Sequence, residues 1–155
     1  MKRPTLIWLA IFGSSFLLLG AFWFQYILGL QACELCLWQR WPHVTAILIG
    51  ILALIMPAWA FSGIFISYLG AIAMTTSAAI AFYHTGVERH WWLSRCSGSI
   101  ATEGLSAENL LAQIFDAPVV LCDAVAWQMV GLSMASWNGI ASVLLAVLWL
   151  NSKKK

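Results

Sequence analysis

Cys33-Glu-Leu-Cys36 is the first feature of this chain able to do chemistry. A bridge across two residues closes too small a loop to stabilise a fold. The spacing suits a bond that opens and closes, or a metal ion. The other two cysteines, Cys96 and Cys122, enclose 25 residues. A bridge there would contribute about 3 kcal/mol by loop closure and, taken alone, reads as structural. A zinc site asks for four converging ligands, commonly two close pairs. The second pair is not close, and neither His84 nor His90 completes a motif, so no metal is expected.

Arg40 stands four residues after Cys36. If the stretch is helical the two share a face, about 6 Å apart along the axis. An arginine at the end of a membrane span ordinarily reaches for lipid headgroups. Beside a thiol pair, a permanent cation has a second use: it stabilises a thiolate and the negative charge that develops on a carbonyl acceptor as it is reduced. His84, in Tyr83-His-Thr-Gly86, is a candidate to hydrogen-bond such an acceptor or to shuttle a proton, and equally a polar interfacial residue. Pro42 fits best in the first turn of a helix, so the helix after the first pair is expected to begin near Arg40.

The elements that must position these groups are membrane helices. The chain has 155 residues, 62% hydrophobic and 9% charged, against about 45–50% and 25% in soluble domains. Nothing in the small net charge of +2 suggests nucleic acid. A span needs about 20 apolar residues. Uncharged runs cover 5–28, 41–87 and 124–152, and the middle one is long enough for two spans with a break at 57–63, where Pro57 and Gly63 end helices. The reading is a single all-α domain over 1–155, a polytopic four-helix bundle with spans near 5–28, 41–60, 63–84 and 130–150. The apolar stretch of the first exceeds that of a signal peptide, and no cleavage site follows it.

Charge orients the bundle. Lys2, Arg3, Lys153, Lys154 and Lys155 cluster at the ends of the chain, whereas all six acids lie in 29–43 and 84–130. Positive residues favour the cytoplasm, so both termini are expected there, with loops 29–40 and 85–129 on the opposite side. All four cysteines then fall on that outer side. The ten tryptophans group near proposed span ends, Trp8, Trp59 and Trp149 at the inner ends, and are read as aromatic belts. Residues 105–115, with Ser106 as N-cap, read as a short amphipathic helix on the membrane surface.

Several stretches resemble one family. Cys33-Glu-Leu-Cys36-Leu-Trp-Gln-Arg40-Trp-Pro42 is similar to a C-x-x-C-x-x-Q-R-x-P signature. Tyr83-His84, Gly86-Val-Glu88 and Trp91-Trp92 ahead of Cys96 resemble the second outer loop, and Leu121-Cys-Asp-Ala-Val-Ala-Trp127 with Gly131 to Asn138 the last segment. The family is that of disulfide bond formation protein B (DsbB), thiol:quinone oxidoreductases of bacterial inner membranes. The resemblance implies four catalytic cysteines. Cys96 would be attacked by a reduced periplasmic DsbA-like thioredoxin-fold protein, and Cys122, released, would attack Cys33. Cys36 would be left as a thiolate facing ubiquinone or menaquinone, with Arg40 supporting the charge and His84 a further contact. Such a chain keeps the periplasm oxidising and so supports disulfide formation. One rival is a quinone reductase similar to vitamin K epoxide reductase, which carries its C-x-x-C late in the chain. Another is a non-enzymatic membrane subunit with a structural Cys96–Cys122 bridge, which leaves the Cys36–Arg40 spacing without a purpose.

Overall fold

The computed structural model describes residues 2–55, 63–94, 96 and 120–153. The proposed surface helix at 105–115, the turn at 57–62 and Trp59 lie outside them. Four helices make up the described chain: α1 (Arg3–Tyr26), α2 (Glu34–Ile55), α3 (Gly63–Glu88) and α4 (Met134–Asn151). Between α3 and α4 lies a two-residue hairpin, β1 (Gln128–Met129) against β2 (Leu132–Ser133), with Gln128 opposite Ser133. Its turn residues Val130 and Gly131 both have positive φ, 54° and 74°, the conformation that matches a two-residue loop to strand twist. Ser133 ends the hairpin and caps α4, accepting from the Ser136 amide.

Three helices, α1, α3 and α4, are each long and apolar enough to cross a membrane. This is a membrane protein of the all-α class. Helix α2 carries Glu34, Gln39, Arg40 and His43 in its first half and is uncharged from Trp41 onward. It starts at Glu34, well before Arg40, and so corrects the expectation that Pro42 would lie in a first turn: Pro42 is interior. An interior proline costs one backbone hydrogen bond and some strain. The carbonyl released is that of Trp38, in the second turn of the helix, close to the end where the loops lie.

Helix α1 packs on α2 and α4, and α3 packs on the same two, which closes a four-membered ring. The helices run alternately up and down. At one end the Arg3 guanidinium lies against Gly63 and the Ser67 and Ser152 hydroxyls are 2.8 Å apart. At the other end Ser133 donates to Glu88. Both ends of the described chain therefore share one end of the bundle, and the cysteines share the other.

Helix α3 buries Ser67, Gly70, Ala71, Met74, Ser77, Ala81 and His84. These recur every three or four residues, one stripe of mostly small side chains. In lipid, helix association rests on close packing, and small residues permit it. Gly70 shows why: its Cα faces the indole of Trp149, where a Cβ would overlap the ring. Trp149 is 1% exposed. It belongs to the core with Ile7, Ile11, Ala46 and Met74, and is not a belt residue as its position near a span end suggested. A Gly70→Ala variant must displace that ring and is expected to lose about 1–3 kcal/mol of stability. Thermal unfolding in detergent, with wild type alongside, measures it.

Candidate functional site: two cysteine pairs beside a cavity

Cys33 and Cys36 stand where α2 begins. The Cys33 carbonyl accepts from the Leu37 amide, so the first helical turn holds the two side chains together. Their Sγ atoms are 2.8 Å apart. Cys96 and Cys122 form a disulfide, with Cα atoms 5.4 Å apart, and the Cys122 amide donates to the Cys96 carbonyl. Cys33, Cys122 and Val87 form one buried cluster, against which Cys36, Cys96 and Trp92 pack. All four sulfurs thus meet in one place. Within the bridge Cys122 is 1% exposed, whereas Cys96 is only partly buried. A reagent arriving from solution meets Cys96 first.

The two thiols of the first pair differ electrostatically. Both precede the uncharged membrane part of α2. Cys33 donates its S–H to Cys36 and is buried, and both push its pKa up. Cys36 is pushed down, first by accepting that hydrogen bond. Burial and the Glu88 charge oppose this, whereas a hydrogen bond from the Cys33 backbone and the Arg40 charge favour it. When the reduced pair loses a proton, it therefore leaves from Cys36 and Cys33 keeps its own. Removing the donor makes the effect visible. A Cys33→Ala variant should alkylate at Cys36 with a pH midpoint shifted upward, toward the ordinary thiol value near 8.5, and rates of iodoacetamide labelling against pH give both midpoints. An unchanged midpoint would mean that Cys33 does not set the Cys36 charge.

Cys36 also lines a cavity of about 290 Å3 between α1, α2 and α4. Its wall is mostly apolar, with Phe16, Phe24 and Trp127 among the lining residues, and its polar side chains include Gln25, Gln31, Gln39, Arg40, His43 and Asn138. The Arg40 guanidinium donates to Gln25 Oε1 at 2.6 Å and lies over the Phe22 ring at 5.1 Å. Its Nε is buried without a hydrogen-bond partner among the described residues. A buried, unpaired donor on a permanent cation favours an acceptor beside it.

His84 is not among the residues lining this cavity. It ends the buried stripe of α3 with Nε2 3.5 Å from Cys33 Sγ and Nδ1 2.9 Å from the Gln39 amide nitrogen. Glu88, one turn on, lies 3.8 Å from Nε2. The ligand atoms of Cys33, Cys36 and His84 lie within 4.8 Å of one another. Sequence reasoning gave no role to Gln25, Gln39, Glu88 or Asn138. The available signal was simple: a polar side chain within an apolar helix is costly unless it has a partner or a task.

The sequence model for disulfide bond formation protein DsbB matches residues 3–151. The chain belongs to the DsbB family. Among curated relatives, a disulfide bond formation protein B of Haemophilus influenzae (strain 86-028NP) is 27% identical over 95% of this chain and 84% of its own length. One of Azoarcus sp. (strain BH72) is 25% identical over 96% and 92%. An uncharacterised protein of Rickettsia prowazekii (strain Madrid E) is 27% identical over 79% and 72%. No solved structure matches the chain. A DsbB family member is a membrane protein of disulfide bond formation, and a close thiol pair packed on a disulfide is the equipment of a disulfide oxidoreductase.

Proposed function

We propose that this protein oxidises a soluble periplasmic dithiol protein of the DsbA-like, thioredoxin-fold type and passes the electrons to a membrane quinone. It would do so in the bacterial inner membrane, as one domain with both termini cytoplasmic and the cysteines periplasmic. The observation that carries this reading is that the first pair has two neighbours: Cys33 packs on the Cys96–Cys122 bridge, and Cys36 lines the apolar cavity.

The partner's thiolate attacks Cys96, and the bond to Cys122 breaks. The electron pair leaves on Cys122. The partner's second thiol then resolves the mixed disulfide, so the partner departs oxidised and Cys96 becomes a thiol. Cys122 attacks Cys33 of the oxidised first pair, and Cys36 leaves as a thiolate into the cavity wall. Cys96 next attacks Cys122, which regenerates the outer bridge and leaves Cys33 and Cys36 reduced. When bound, a quinone supplies the two-electron acceptor and departs as quinol with two protons, the first pair closing again. Ubiquinone and menaquinone both fit these terms. An apolar cavity with the Arg40 cation and a thiolate at its wall fits such a head group: the Arg40 charge stabilises both the Cys36 thiolate and negative charge growing on an acceptor oxygen. The sum is one dithiol oxidised and one quinone reduced.

The deciding experiment mixes the purified protein with a reduced thioredoxin-fold oxidase and a quinone. Quinol formation equal to the disulfide formed supports the reading. Partner binding without quinol formation would leave the second bridge a structural device in a non-enzymatic subunit.

A further inference from the structure

We propose that Asn138, acting through Gln39, is a positioning residue that fixes the tautomer of His84, so that the Nε2–H of that ring is held toward the Cys33 sulfur. The inference deepens the exchange reaction proposed above and rests on it for its kinetic consequence, though not for its geometry.

The geometry is a chain of side chains from three helices. His43 Nε2 lies 3.0 Å from Asn138 Oδ1. Asn138 Nδ2 donates to Gln39 Oε1 at 2.7 Å. Gln39 Nε2 lies 2.9 Å from His84 Nδ1, and His84 Nε2 lies 3.5 Å from Cys33 Sγ. An amide nitrogen only donates. With Gln39 Nε2 toward it, His84 Nδ1 must accept, and the neutral ring then carries its proton on Nε2. The surroundings of the other nitrogen agree, because each is an acceptor: the Cys33 sulfur at 3.5 Å and the Glu88 carboxylate at 3.8 Å.

Amide orientations follow from the network they join, and here the far end decides them. Reversing Gln39 places its Nε2 against the Asn138 amide nitrogen, two donors face to face, unless Asn138 reverses as well. Asn138 would then donate to His43 Nε2, which forces the His43 proton onto Nδ1. Among the described residues that nitrogen is buried without a partner. A buried N–H without an acceptor is rarer in native proteins than an unused acceptor, so His43 keeps its proton on Nε2 and the chain runs from His43 to Cys33. The hydroxyls of Ser77 and Ser142, 3.2 and 3.4 Å from His43 Nε2 and 3.0 Å from each other, hold the anchoring ring.

The consequence falls on one step. When Cys96 attacks Cys122 in the Cys33–Cys122 intermediate, the new bond joins Cys96 to Cys122 and the electron pair of the old one leaves on Cys33. A ring N–H already aimed at Cys33 stabilises that thiolate without proton transfer and without rearrangement. The opposite tautomer would present a lone pair to the leaving sulfur and slow its departure.

The test reads the tautomer directly. Nitrogen-15 resonances of the His84 ring, recorded on the full chain in detergent and assigned with a His84→Gln variant, should report a proton on Nε2. In Asn138→Leu the Nε2–H share should fall, because Gln39 is free to turn. In Gln39→Glu, whose carboxylate only accepts, the proton should move to Nδ1. Single-turnover exchange between the two cysteine pairs, followed without quinone by acid trapping and mass spectrometry, should slow about tenfold in both variants, the effect of one hydrogen bond to a charged group. Gln39→Glu provides the answer should Asn138→Leu fail to fold. A wild-type proton on Nδ1, or a ring unaltered in the variants that fold, would overturn the proposal. Wild type that forms no quinol yet shows the expected resonances would sink the quinone reading and leave the positioning intact.

Discussion

A Cys96→Ser variant is expected to oxidise its soluble dithiol partner at least a thousandfold more slowly than wild type, while its first cysteine pair, once reduced by a small thiol, still reduces quinone. The asymmetry follows from access. Thiol exchange needs a disulfide that a thiolate can reach in line. Cys33 is 4% exposed and Cys122 1%, so a folded partner has no path to either, whereas Cys96 is partly exposed at the end of the bundle. Losing Cys96 removes the electrophile and leaves the cavity and Arg40 untouched. Stopped-flow oxidation of a reduced thioredoxin-fold partner, paired with quinol formation driven by dithiothreitol, separates the two halves. Partner oxidation at the wild-type rate would show that electrons enter elsewhere.

The second large effect is expected at Arg40. An Arg40→Ala variant should lower kcat/KM for quinone by about 100- to 1000-fold, the range for removing one donor from a developing oxyanion, with partner binding changed little. The guanidinium is held by Gln25 and Phe22, and Arg40 lines the cavity beside Cys36. Lysine restores the charge without the planar fork, so Arg40→Lys should recover only part of the loss. Equal loss of quinone use and partner binding would instead make Arg40 a support of the bundle. The two variants together divide the reaction at Cys36: one blocks entry of electrons, the other their exit.

The proposed electron transfer also depends on holding opposite chemistries apart by a short distance. On that reading aqueous exchange takes place at Cys96, and an apolar acceptor meets Cys36 at the apolar cavity. The buried Cys33–Cys122 contact joins them, so neither a soluble protein nor a lipid-soluble quinone has to leave its own phase. The charge asymmetry within Cys33 and Cys36 points the same way, since the sulfur that carries the negative charge is the one in the cavity wall.

Much of this was written in the chain itself. Uncharged runs determine the helices, because transfer of apolar segments from water and exclusion of charge from hydrocarbon are properties of local composition, and the basic ends carry the expectation of sidedness. The C-x-x-C spacing and the Cys36–Arg40 interval are equally local. Tertiary packing decided the rest. That His84 meets Cys33, and that Gln39 and Asn138 join it to His43, depends on how α2, α3 and α4 are rotated about their axes, which residue spacing within each helix leaves open. The same is true of Trp149, drawn inward because Gly70 leaves room for its ring, and of Pro42, carried inside α2 where local preference would end a helix. Sequence ranks such residues by their own tendencies, whereas their neighbours, a hundred positions away for His43 and Ser142, set the energy that determines where they lie.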